Sequence, residues 1–248
     1  MPAVNDFAGS FARAWQLLVQ LDPGLVQIVA RSLLVSGTAC VIACTLGIAL
    51  GAWLGVARFR GRGAALTCLN TSLALPSVVV GLVVYLLLSR SGPLGFLGWL
   101  FSLRAMVIAQ TILVLPLAAA LTRQVVEDVE RANGEQLQSI GARSVLRGFL
   151  IACDERYALL TVVITCSGRA IAEVGAVMVV GGNMQGFTRV MTTAIALETE
   201  KGDLPLALGL GIVLLTLVLA LNALVALMKR WRESTGDSFQ VAAAATSS

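Results

Sequence analysis

Four stretches of this chain, residues 32–57, 63–89, 105–122 and 204–228, contain no Asp, Glu, Lys or Arg over 26, 27, 18 and 25 consecutive positions. A helix of about 20 apolar residues crosses the hydrocarbon layer of a bilayer, so these stretches have the length of membrane spans. A fifth, 157–180, is equally apolar but carries Arg169 and Glu173 near its middle. Composition points the same way: 57% of the 248 residues are hydrophobic and 13% are charged, about half the charge of an ordinary soluble domain. The chain is therefore expected to be an all-α membrane protein with five transmembrane helices.

The basic residues sort by side. Arg58, Arg60, Arg62, Arg123, Arg131, Arg143, Arg147, Arg156, Lys229, Arg230 and Arg232 fall on one face, and Arg13, Arg31, Arg90, Arg104, Arg189 and Lys201 on the other. The richer face is cytoplasmic by the positive-inside rule, which puts the N-terminus outside and the C-terminus inside. Ahead of the first span there is no basic region or cleavage site, and Phe7, Phe11, Trp15 and Leu18 share one helical face. Residues 1–30 thus read as an interfacial segment, 31–232 as a single transmembrane domain, and 233–248, which lacks a periodic apolar face, as a disordered tail.

Several chemistries are excluded by what is missing. There is no histidine, and the five cysteines form no CxxC pair, so a metal centre or a histidine-based catalytic site is not expected; the cysteines read as reduced packing residues. Neither Lys201 nor Lys229 follows a glycine, so the phosphate loop of ATP-binding proteins is absent. The net charge of +4 reflects arginines gathered in short loops between spans, which is membrane topology rather than a nucleic-acid footprint.

Within the spans, Gly47, Gly51 and Gly55 leave one stripe of the first helix bare, where a neighbour can approach closely. Pro76 and Pro116 each remove a backbone hydrogen bond and introduce candidate kinks. The one long hydrophilic segment, 123–156, suggests two short helices around a glycine turn at Gly141, with Leu137 and Ile140 on one face and Val145, Leu146 and Phe149 beyond the turn. Arg169 and Glu173, four residues apart, share a helix face and can pair. Each costs about 2.5–3.5 kcal/mol at the centre of a lipid-facing helix, so both must face protein or water, either as a structural pair or as part of a solute path.

The segment 135–143, Glu-Gln-Leu-Gln-Ser-Ile-Gly-Ala-Arg, resembles the cytoplasmic loop by which permease subunits of ATP-binding-cassette (ABC) importers dock their ATPases. Glu135 and Gly141 match its pattern, and Gln136 and Leu137 stand where that pattern has alanines. The run 168–183, with Arg169, Glu173, Gly175, Ala176, Gly182 and Asn183, resembles the oxyanion branch of these permeases, and together with 186–203, 89–95 and 110–116 it is most similar to the tungstate family. The resemblance covers most of residues 30–228.

It implies a type I (MetI-like) permease fold with cytoplasmic coupling helices between the third and fourth spans. Glu135, Leu137, Ile140, Gly141, Ala142, Arg143 and Val145 would couple to the ATPase. Arg169, Glu173, Asn183, Thr188, Arg189, Thr192 and Thr193 would line or gate the path. The implied partners are a second copy of the chain, two cytoplasmic ATPase subunits, an external oxyanion-binding protein and membrane lipid, with no nucleic acid. ATP and magnesium would sit on the ATPases and no cofactor on this chain, in a prokaryotic inner membrane. Molybdate or sulfate is the alternative solute, and an ion-gradient-driven transporter the alternative class.

Overall fold

The computed structural model describes the backbone of residues 22–139 and 144–245 and positions 12, 15, 16, 19 and 20 before them, with side chains described over 22–132 and 148–227. Among the described residues the regular structure is entirely helical: α1 (Pro23–Val56), α2 (Arg62–Leu73), α3 (Ser77–Leu88), a single 3-10 turn (Gly95–Leu97), α4 (Leu103–Ser139), α5 (Ser144–Asp154), α6 (Arg156–Ile171), α7 (Gly175–Gly181), α8 (Met191–Lys201) and α9 (Leu204–Ala245).

Three helices are long and apolar enough to cross a membrane, over Pro23–Val56, Leu103–Ala132 and Leu204–Leu227. The other two expected spans fall on bent helix pairs: α2 and α3 meet at 99°, and α6 and α7 at 56°. Pro76 explains the first break, since it caps α3 in an extended conformation and cannot donate to the preceding turn. Pro116, by contrast, lies inside an uninterrupted α4.

The first helix begins earlier than expected. Asp22 caps it by accepting from the Leu25 amide at 3.0 Å, and Pro23 takes the first helical position, where a missing N–H costs nothing. Leu25 and Ile28 are buried with Ile171, Met191, Ala194 and Leu210, so α1 packs in the bundle from its first turns. The lone charge of Arg31, used as a boundary in the sequence, does not stop a helix packed on both sides of it. Of the residues assigned to the interfacial face, Trp15 is exposed, while Phe7, Phe11 and Leu18 lie outside the described residues.

The glycine stripe seats α1 on α4. A β-carbon at Gly47 would lie 2.6 Å from the Ala118 Cβ, one at Gly55 2.7 Å from Val126 Cγ1, and one at Gly51 would overlap the Ala119 carbonyl oxygen. Cys40 and Cys44 join Val114, Ala118, Val162 and Cys166 in the core beside it, whereas Cys68 and Cys153 are exposed. A second close approach joins the two broken pairs. Gly81 in α3 lies against the Ala176 backbone and Val179 Cβ, and Gly175 in α7 against Ser77 Oγ and Val78, so α3 and α7 approach closely where each presents a glycine.

The hydrophilic segment differs most from expectation. Instead of a loop with two short helices, α4 runs on to Ser139. Arg123 and Arg131 flank Glu127 one turn away on either side, and Arg131 also reaches Asp128, pairs that support a polar helix. Among the described residues of this segment α5 is the separate short helix; it packs on the end of α1, where Ala52 and Val56 meet Ile151 and Ala152. At the other terminus, α9 is helical through Ala245: once nucleated, a helix propagates cheaply, and the alanines at 242–245 are the strongest helix formers.

Candidate functional site

Glu173 sits in the break between α6 and α7 and ties three elements together. Its Oε2 accepts from Arg169 Nη1 at 3.0 Å, its Oε1 accepts from the Ala176 amide at 3.3 Å, and its backbone carbonyl accepts from the Thr192 hydroxyl of α8 at 2.8 Å. The glutamate is buried, but the Arg169 side chain is 48% exposed against 5% for Glu173. The carboxylate is thus fixed by the fold, while the guanidinium presents part of its fork to an open face, where it can meet water or an anion.

A second charged pair lies deeper. Arg189 Nη1 donates to Glu198 Oε1 at 3.1 Å, with the two side chains only 10% and 7% exposed, and Lys201 approaches the same oxygen at 3.2 Å from a more exposed position. Between the pairs, polar groups bind the chain after α7 to the bundle. The Thr188 hydroxyl donates to the Gly181 carbonyl and accepts from the Met184 amide at 3.0 Å. Asn183 donates to the Thr193 carbonyl at 3.0 Å, and the Thr193 hydroxyl accepts from the Val190 amide at 3.2 Å. Gly182 and Asn183 both have positive φ, a conformation that glycine and asparagine tolerate better than other residues. They turn the chain out of α7.

Helices α1 and α4 complete the network. Ser32 accepts from the Met191 amide at 2.6 Å, and both Ser36 and Gln110 donate to the Ala170 carbonyl, at 3.3 and 3.0 Å. These bonds satisfy backbone groups freed where α6 ends and α8 begins, as an apolar surrounding demands. Replacing Ser32 by alanine leaves the buried Met191 amide without this acceptor. The expected cost is about 1–3 kcal/mol, measured as a lowered midpoint in a denaturant titration of the purified protein.

The structure therefore brings Arg169, Glu173 and Thr192 into one cluster, and Asn183, Thr188 and Thr193 into the neighbouring backbone network. Arg189, read from the sequence as a cation on an external segment, is instead buried and neutralised by Glu198. That carboxylate was not singled out in the sequence, nor were Ser32, Ser36 and Gln110 as site residues; the only available signal was polar residues at positions otherwise surrounded by apolar ones. The coupling set stands apart at the far end of α4. Glu135 and Leu137 lie on its last turns and Val145 on α5 by their backbone, with side chains outside the described residues, as are Ile140, Gly141, Ala142 and Arg143 altogether. Next to them, Phe149 and Leu150 of α5 are exposed.

Three helices of membrane-spanning length, two bent apolar pairs and exposed apolar flanks are those of a multi-pass membrane protein. A tungstate uptake system permease protein of Peptoclostridium acidaminophilum is 42% identical over 88% of this chain and 96% of its own length. A probable anion ABC transporter permease protein of Haloferax volcanii is 40% identical over 85% of this chain and 92% of its own, and a tungstate uptake system permease protein of Campylobacter jejuni 36% over 89% and 92%. No protein-family model matches the chain. The chain belongs to the family of tungstate uptake ABC permeases.

Proposed function

We propose that this chain is the transmembrane subunit of an ABC importer that carries tungstate across a prokaryotic inner membrane. It works as a homodimer, with ATP hydrolysed on two cytoplasmic ATPase subunits and solute delivered by an external binding protein. The observation that carries the reading is the identity to two tungstate uptake permeases over nearly the full length of each. Molybdate, of the same charge and nearly the same size, is the alternative solute.

In this reading each broken pair, α2 with α3 and α6 with α7, counts as one crossing, giving five spans with the N-terminus outside. Broken helices in a membrane are tolerated where they line a cavity or are buried in protein, and solutes commonly bind at such interruptions. Arg169 attracts the dianion from its half-exposed position, and Glu173 holds it in place while opposing too tight a grip, since a transport site must release what it binds. No cofactor is bound by this chain.

The coupling surface is the polar end of α4 together with α5. An exposed phenylalanine beside an exposed leucine on a short helix is the kind of anchor that docks into a partner's cleft. Substituting Phe149 by aspartate is expected to abolish co-purification of the ATPase subunits while the permease remains inserted and folded. Retention of the ATPase in that variant would remove α5 from the interface. For the function as a whole, vesicles containing the complex and its binding protein are expected to accumulate tungstate only when ATP is supplied to the ATPase face. Accumulation driven by an ion gradient without nucleotide would replace the ABC reading with a secondary transporter, and preference for molybdate would change only the solute.

A further inference from the structure

A cavity of about 300 Å³ opens where α1 ends against the polar half of α4. Its walls are the backbone at 55–57, Arg58 and Arg62 from the connection to α2, and Glu127, Glu130 and Arg131 from α4. The charges inside are unequally engaged. Glu127 is gripped from two sides, by Arg62 Nη2 at 2.6 Å and by Arg123 Nη1 at 2.9 Å, while Arg62 also donates to the Leu54 carbonyl at 3.2 Å. Arg131, 73% exposed, stands 3.8 Å from Glu127 and 3.5 Å from Asp128, beyond a good hydrogen bond to either. Arg58 is exposed at the mouth. Three arginines thus face two carboxylates, and the excess of positive charge leaves a concavity suited to an oxyanion.

The surroundings identify which oxyanion. Leu46, Leu50 and Trp53 are exposed and, three and four residues apart, form one stripe on α1 that leads to the cavity wall at Ala57. Trp53 stacks on Phe59 with ring centroids 5.2 Å apart, both partly exposed. Aromatic rings of this kind settle at the level of lipid headgroups, and basic pockets at that depth hold lipid phosphates. We infer that this cavity binds the phosphate of an anionic membrane lipid, with Arg58 and Arg131 closing on the phosphate and an acyl chain lying along the Leu46–Leu50–Trp53 stripe. The same chemistry would admit free phosphate or another tetrahedral dianion, so the test must separate the two sources.

The full-length chain, reconstituted in nanodiscs of phosphatidylglycerol mixed with phosphatidylcholine and released into the gas phase, reports its retained lipids by native mass spectrometry. Wild type is expected to retain phosphatidylglycerol over phosphatidylcholine by about thirty-fold. The double variant Arg58→Gln/Arg131→Gln should lose about thirty-fold in phosphatidylglycerol retention, from about 1 kcal/mol per arginine at a membrane surface and a tenfold change per 1.4 kcal/mol. Arg60→Gln, an exposed arginine that does not line the cavity, should change nothing. Both substituted arginines are exposed, and an unchanged melting curve confirms that the double variant is folded. Equal retention of the two lipids, or wild-type retention in the double variant, overturns the inference. Displacement of the bound lipid by millimolar inorganic phosphate would reassign the cavity to a free oxyanion and overturns it as well. None of these outcomes depends on which solute the permease transports.

Discussion

Replacing Glu198 by alanine is expected to lower the stability of the folded chain by about 3–5 kcal/mol, because it strands a buried guanidinium. Arg189 Nη1 donates to Glu198 Oε1 at 3.1 Å, with both side chains nearly sealed from solvent. The loss is a large share of the roughly 5–15 kcal/mol that holds a typical domain together, so the variant should melt far below wild type in a thermal scan of the detergent-solubilised protein. Glu198→Gln, which keeps an acceptor but loses the charge, should fall between the two. The double variant Arg189→Met/Glu198→Leu, which removes both charges and fills the space, should recover most of the stability, since a buried ion pair is often replaceable by apolar packing. Its uptake activity then separates two roles for the pair: recovery of both stability and transport assigns it to the scaffold alone, whereas recovery of stability without transport assigns it to the path. A Glu198→Ala variant that melts with wild type would remove the pair from either role.

The second large effect is expected at Gly51. A β-carbon there already overlaps the Ala119 carbonyl and comes within 2.9 Å of Thr122 Cβ, and the obstacle is the backbone of a packed helix, not the tip of a flexible side chain. Gly51→Ala should therefore cost about 1–3 kcal/mol, the usual range for overpacking. Gly51→Leu must force α1 and α4 apart along their main interface, and no monodisperse protein is expected from it in size-exclusion chromatography. Gly37 supplies the control on the same helix, because nothing lies within 4 Å of a β-carbon built there; Gly37→Leu should behave as wild type. Equal behaviour of the leucine variants at 37 and 51 would show that the glycine stripe does not set the helix approach.

What could be read from the sequence was what is local. The glycine stripe repeats every four residues within one helix, so its helix face is fixed before any neighbour is known. Arg169 and Glu173 are likewise a single turn apart, and their pairing follows from helix geometry alone. Arg189 and Glu198 are nine residues apart across the start of α8, and only the fold decides that both are buried; in the sequence, Arg189 looked like a solvated loop cation for that reason. Charge-free windows located the apolar cores of α1, α4 and α9 but misplaced their ends. A single Arg31 cut α1 short, and the ion pairs around Glu127 that carry α4 beyond the apolar region read as a loop. Pro76 announced an interruption, yet its 99° turn depends on how α3 leans on α7, which no pattern within one segment encodes. The residues around Gly141, matched to the coupling loop by resemblance, lie outside the described structure.

The contact of α3 with α7 through Gly81 and Gly175 has a mechanical consequence. With Gly81 set against the Ala176 backbone and Val179 Cβ, and Gly175 against Ser77 Oγ and Val78, there is no slack for one short helix to shift without pressing on the other, although they come from different parts of the chain. The connections at 74–76 and 172–174 enter the two helices at the same place, since Gly175 lies against Ser77 and Val78. A displacement of either connection is therefore expected to be felt by both helices at once.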